Sequence, residues 1–161
     1  QYLAYKLLRT GIEVLWYPDF HLQLMSTTVL KPHDIVVCIS FNGSTNQVLE
    51  LAELVQSEGI KVISITNYRR SPLAKHSDIL LLTCSNENPF MSGAAASIIA
   101  QIAIIDALFI GLAMKNPGHS TEFIQKTTNT IKSQKVQGQR RCLTTMGRYD
   151  TTVYRIAEAL S

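Results

Sequence analysis

The chain predicts an α/β fold, a parallel sheet with helices on both faces, and three observations carry that expectation. Strand-like and helix-like segments alternate along it. The middle strand segments, V-V-C-I-S (Val36 to Ser40) and V-I-S-I-T (Val62 to Thr66), run apolar instead of alternating, as strands buried on both faces do. The segment between them, from Asn46 to Glu58, carries an apolar stripe at helical spacing and stops at Gly59. Such βα units place helices above and below a parallel sheet.

The elements follow in order. Tyr2 to Arg9 reads as a helix stopped by Gly11, and Glu13 to Tyr17 as a short strand ended by Pro18. Phe20, Leu22, Leu24, Met25, Val29 and Leu30 form a helical stripe closed by Pro32, after which Ile35 to Ser40 is a strand. In the next helix Val48, Leu49, Leu51, Ala52 and Val55 point inward. Val62 to Thr66 is followed by a loop, then by a short helical turn that begins at Ser71-Pro72, with proline in its tolerated first position. Ile79 to Leu82 is a strand, and Thr83 to Asn88 a polar loop. Gly93 to Ala113 is nearly all apolar and long enough for a bilayer, but Ser97, Gln101, Asp106 and its alanines favour a buried central helix or a dimer seam. Asn116-Pro117 starts a helix to about Gln134, a basic connector follows, and Asp150 caps a helix over T-T-V-Y-R-I-A-E-A-L.

At 161 residues the chain suits one domain with a proper core. A hydrophobic share of 46% against 17% charged residues excludes disordered and fibrous classes. The net charge of +3 is uneven: residues 126–161 hold seven of the fifteen Lys/Arg but two of the twelve Asp/Glu. At that density a solvated helix and connector account for the basic end. Cys38, Cys84 and Cys142 form no C-x-x-C pair, and reduced thiols of a cytoplasmic protein explain them best. No leader-like stretch opens the sequence, and no membrane partner is expected. Neither a metal-spaced His/Cys set nor a cofactor motif is present, so the expectation is no metal and no cofactor.

Chemistry concentrates where the first buried strand ends. Ser40, Asn42, Gly43, Ser44 and Thr45 put hydroxyls, an amide and a glycine between a strand and a helix N-terminus, a geometry suited to a phosphate. A helix cap at Ser44 or Thr45 and a turn at Asn42-Gly43 would use the same residues with no ligand. Ser40, Thr66 and Thr83 fall at strand carboxyl ends, where ligands of open α/β sheets bind.

The stretch I-S-F-N-G-S-T (Ile39 to Thr45) resembles the I-S-x-S-G-x-T motif of sugar isomerase (SIS) domains. D-F-H-L-Q-L-M (Asp19 to Met25), L-K-P-H-D-I-V-V (Leu30 to Val37), V-I-S-I-T-N (Val62 to Asn67) and S-P-L-A-K-H-S-D-I-L-L (Ser71 to Leu81) agree in order and spacing. N-E-N-P-F-M-S-G-A and I-A-Q-I-A-I-I-D-A-L-F-I-G-L are most similar to the effector domains of RpiR-type bacterial transcriptional regulators. The resemblance covers residues 1–134, leaving 135–161 as connector and terminal helix. It implies a three-layer αβα sandwich around a five-stranded, flavodoxin-like parallel sheet, a homo-oligomer (dimer or tetramer), and a sugar phosphate under the Ser/Thr loop. DNA would be read only through a helix-turn-helix domain that this sequence lacks.

The sequence departs from that pattern in three ways. A central first strand with its Gly/Ser loop is expected ahead of Gln1 and is missing, and Thr151 to Ser161 resembles the helix that would precede it. Many relatives carry arginine where Met91 and Ile98 stand, and Asn42 replaces a serine. By resemblance, Glu87 accepts hydrogen bonds from sugar hydroxyls. His21 matches a histidine of related isomerases, but L-Q-L-M follows it where the acidic G-D-L-G stretch belongs, which favours ligand or dimer contact over catalysis. The leading expectation is a non-catalytic phosphosugar sensor of a transcriptional regulator. An aldose–ketose sugar-phosphate isomerase and a dimerisation module with a vestigial site are the alternatives.

Overall fold

A computed structural model describes residues 1–85, 95–135 and 152–156. The elements are α1 (Tyr2–Arg9), β1 (Val14–Trp16), α2 (Phe20–Thr27), β2 (Ile35–Ile39), α3 (Asn46–Ser57) and β3 (Lys61–Thr66). They continue as α4 (Pro72–Lys75), β4 (Ile79–Leu82), α5 (Ala95–Lys115), α6 (Pro117–Lys135) and β5 (Thr152–Ile156). The sheet order is β1-β5-β2-β3-β4. β2, β3 and β4 pair in parallel, with Ile35 opposite Lys61 and Ile63 opposite Ile79.

Side-chain alternation along β2 divides the core into two. Val36 and Cys38 face α3, where they pack with Val48, Leu51, Ala52 and Val55, with Leu73 of α4, and with Phe20 and Leu24 of α2. Val37 faces the other way and joins Ile65, Leu3, Ala4 and Leu7 of α1, and Ile105 of α5. Local chemistry fixes the helix starts: Asp19 accepts from Leu22 N at 3.0 Å, and Ser71 accepts from Ala74 N at 3.3 Å beside Pro72 in the first turn.

Two expectations are corrected. The segment read as a terminal helix is a strand over residues 152–156, antiparallel to both β1 and β2. It occupies the place between them that the resemblance left for a missing parallel strand. An open slot there would strip two strands of their backbone partners, and the β-branched and aromatic run T-V-Y-R-I suits a ladder better than its helical spacing suggests. The sheet therefore has no gap, and it is mixed, not wholly parallel.

The second correction concerns α5. Only Ser97 and Ile105 are buried along its described length, while Ile99 is 67% and Met114 73% exposed. Among the described residues it is one helix long and apolar enough to cross a membrane. One flank lies on the sheet through Ile104, Ile105 and Leu112, and Asp106, between Ile102 and Ile110 on the outward stripe, ties the helix to α1. There Asp106 accepts from the Lys6 ammonium at 2.8 Å and from the Tyr2 hydroxyl at 2.9 Å. These bonds hold the Asp106 carboxyl below, and the Lys6 ammonium above, their usual ranges. Both groups keep contact with solvent, so the pair orients the helix more than it stabilises the fold.

The turn between β2 and α3 is built around Gly43, whose φ is +62°. Its carbonyl accepts from Leu73 N at 2.9 Å, pressing the turn onto α4. An added Cβ would overlap the Ser71 hydroxyl and lie 2.5 Å from its Cβ. Gly43→Ala should therefore lower stability by about 2–4 kcal/mol, from positive-φ strain and overlap together, as read by urea unfolding. Burial pushes the Cys38 thiol up to about 12. An unfolded thiol ionises near ~8.5, so the stabilisation from this neutral group is complete below ~8.5 and declines as pH rises toward the folded value. Native protein at about pH 8 should accordingly be alkylated by iodoacetamide at exposed Cys84 and not at Cys38, with Cys38 reacting once urea unfolds the chain.

Candidate functional site

β1 to β4 all point the same way, so their carboxyl ends form one edge, and Ser40, Thr66 and Thr83 lie along it. The β2–β3 ladder runs one residue past β2, with Ser40 N donating to Ile65 O at 3.1 Å. This places Ser40, 7% exposed, at the rim of the sheet and not inside it.

Ser40 is the centre of the loop that follows. Its Oγ accepts from Gly43 N at 3.1 Å, donates to Asn42 Oδ1 at 3.3 Å and lies 3.0 Å from Thr45 Oγ1. A hydroxyl has one proton, so Thr45 supplies the one in their mutual bond. Asn42 Oδ1 also accepts from Ser44 N at 3.2 Å. The structure thus brings Ser40, Asn42, Gly43, Ser44 and Thr45 together, with Ser40 and Gly43 buried, Thr45 half-buried, and Asn42 and Ser44 facing solvent.

Thr45 is the N-cap residue of α3, yet its side chain makes no capping bond. Its hydroxyl is turned to Ser40 instead. The first-turn N–H groups of α3 thereby lack the side-chain acceptor that a threonine in this place usually gives, and they point where an anion's oxygens would be accepted. The plain-cap reading of Thr45 does not hold.

Thr66 and Thr83 share the edge but serve as braces. Thr66 Oγ1 donates to Phe41 O at 2.9 Å, and Thr83 Oγ1 to Asn67 Oδ1 at 3.1 Å. Phe41 meets the Tyr68 ring edge-on at 5.8 Å, which ties the Ser40 loop to the loop carrying Arg69 and Arg70, both exposed. His21 is exposed on α2, and its one described ring contact is with Phe20. Glu87 and Met91 lie outside the described residues, and Ile98 is half-buried in α5. No metal-holding group of His, Cys, Asp and Glu occurs among the described residues.

Sequence reasoning gave Asn67, Phe41 and Ser71 no part in the site, although Ser71 was read as a helix start. Asn67 was visible as the last letter of V-I-S-I-T-N, an amide one residue past a buried strand. Nothing in the sequence marked Ser71 as the wall against which Gly43 must fit.

The family model described as SIS domain matches residues 1–111. An uncharacterized HTH-type transcriptional regulator of Caldanaerobacter subterraneus is 38% identical over 131 residues, covering 81% of this chain and 46% of that protein. The HTH-type transcriptional regulator RpiR of Escherichia coli is 33% identical over 125 residues, covering 78% of this chain and 42% of that protein. The chain thus spans less than half the length of these curated relatives. Among solved structures, the Vibrio vulnificus NanR protein complexed with ManNAc-6P aligns with a TM-score of 0.76 at 32% identity, over 83% of this chain and 50% of that one. A model match across two-thirds of its length, on a sheet and loop of this geometry, makes this chain a member of the SIS domain family.

Proposed function

We propose that the chain is the phosphosugar-sensing part of an RpiR-type transcriptional regulator, with the ligand's phosphate held by Ser40, Asn42, Gly43, Ser44 and Thr45. The observation that carries this reading is the α3 N-terminus, whose capping hydroxyl is withdrawn to Ser40. Support comes from NanR, 32% identical over the shared fold and complexed with ManNAc-6P.

The loop satisfies itself in the structure. Gly43 N and Ser44 N donate to Ser40 Oγ and Asn42 Oδ1, and the Thr45 proton goes to Ser40. A phosphate takes over as acceptor for these donors. Neutral bonds of this kind contribute about 0.5–1.5 kcal/mol net, and charge-assisted ones roughly twice that, so the exchange favours the anion. The α3 dipole adds up to ~2 kcal/mol at a partly buried site. No arginine clamp is required in this account. Hydroxyls, amides and a helix end carry the binding, consistent with isoleucine at position 98.

Glu87 and His21 remain proposed contacts to the sugar end or to a second subunit. A sensor fits His21 better than an isomerase does, because its ring lies against Phe20 on an exposed helix face and the acidic stretch that should follow it is absent. Ligand binding changes the state of the protein only through different affinities for two states. The exposed apolar face of α5 (Ile99, Ile102, Ile110 and Met114) is the surface we assign to a homo-oligomer, with no membrane partner, in the bacterial cytoplasm. DNA binding then belongs to a helix-turn-helix part of a longer protein, as in the relatives named HTH-type.

Thermal unfolding with a panel of sugar phosphates that includes ManNAc-6P tests this. A ligand at about 100 times its Kd should raise the Tm by roughly 5–10 °C, with no turnover. Ser40→Ala combined with Thr45→Ala should remove the shift while leaving the fold intact. A wild-type chain that responds to no member of the panel would contradict the reading, and conversion of a bound sugar would favour the isomerase.

A further inference from the structure

Asn67 joins three segments of the carboxyl edge. Its backbone N donates to Phe41 O at 2.9 Å, in the phosphate loop, next to the Thr66 hydroxyl that donates to the same carbonyl. Its side chain reaches the other way, to the segment after β4. Oδ1 accepts from Ser85 N at 2.9 Å, from Thr83 Oγ1 at 3.1 Å and from Ser85 Oγ at 3.3 Å. Nδ2 donates to Ser85 O at 3.1 Å. Ser85 N can only donate and Ser85 O can only accept, so the amide has one workable orientation. Asn67 copies a backbone ladder pair just where β3 and β4 have stopped pairing, the last rung being Thr83 N to Thr66 O at 2.9 Å.

A turn residue needs none of this. One bond to its own loop would finish the chain reversal at residues 67–70, whereas Asn67 directs four contacts across the edge to residues 83–85. Those residues border the same rim as Ser40, on the far side of β3 from it. Ligands of open α/β sheets bind beyond the strand carboxyl ends, so segment 83–85 borders the region that the organic part of a ligand would enter if its phosphate sat under Ser40 and Thr45.

We propose that Asn67 is a positioning residue that fixes segment 83–85 against the phosphate loop and so sets selectivity for the sugar part of the ligand over bare phosphate. This rests on the phosphosugar reading above. Phosphate affinity itself depends on Ser40, Thr45 and α3, none of which the Asn67 side chain touches.

The test compares ManNAc-6P with inorganic phosphate by calorimetry on the full 161-residue chain. Asn67→Ala should weaken ManNAc-6P about tenfold and inorganic phosphate less than about twofold. Equal losses for both, or no loss for either, would overturn the proposal. Asn67→Asp keeps the acceptor and loses the donation to Ser85 O. Its added charge bears on both anions alike, so the ratio of affinities should still fall, by less than in Asn67→Ala, and an unchanged ratio would count against the role. Amide hydrogen exchange at Ser85 separates this idea from the phosphosugar reading. Protection lost in Asn67→Ala and kept in Asn67→Asp supports the clamp even if wild type ignores ManNAc-6P, an outcome that removes the ligand assignment alone. Protection unchanged in Asn67→Ala removes the clamp whatever the ligand does.

Discussion

The hydroxyl of Ser40 is the constraint on which the rest of the site depends. It sits one residue beyond β2, held at the rim because the parallel ladder with β3 extends to its own backbone N–H. From there it sets the position of Asn42, Gly43 and Thr45 at once. The turn closes only because Gly43 adopts a positive φ against Ser71, and α3 leaves in its direction because Val48, Leu51, Ala52 and Val55 are committed to the sheet. Packing on one side and a single buried oxygen on the other thus hold a cluster of donors in place before any ligand arrives. Preformed donors spare a ligand the ordering cost that a flexible loop would impose.

The charge arrangement follows from the same geometry. The described loop carries no cation, and Arg69 and Arg70 are exposed on the neighbouring connection. In the proposed reading, attraction for an anion comes from oriented dipoles: the α3 N-terminus, the Gly43 and Ser44 amides, and two hydroxyls. Dipoles fixed in a partly buried rim suit a divalent ester, which makes several short bonds at once, better than a carboxylate, which makes fewer.

Much of this was legible in the chain. Continuous apolar runs located β2 and β3, helical spacing located α3, and Asp19, Ser71-Pro72 and Asn116-Pro117 marked helix starts, each from interactions within a few residues. The clustering at Ser40–Thr45 was legible because one strand–turn–helix unit holds all its members. What failed depended on distant partners. Residues 152–156 have a spacing that fits a helix, and only the empty place between β1 and β2 makes them a strand. The α5 residues were read as buried because they are apolar, but how much of a helix is covered depends on what packs against it, which its own sequence does not contain. Asn67 went unweighted for a similar reason, since its side-chain partners lie 16 to 18 residues away.

The central claim is that an anionic ester sits against Ser40 and the first turn of α3. Residue-resolved amide NMR during a ManNAc-6P titration tests it most directly. The account predicts saturable shifts at Gly43, Ser44, Gln47 and Val48, with smaller ones at Asn67 and Ser85. Saturable shifts confined to other parts of the chain, with the amides of residues 43–48 unmoved, would contradict it.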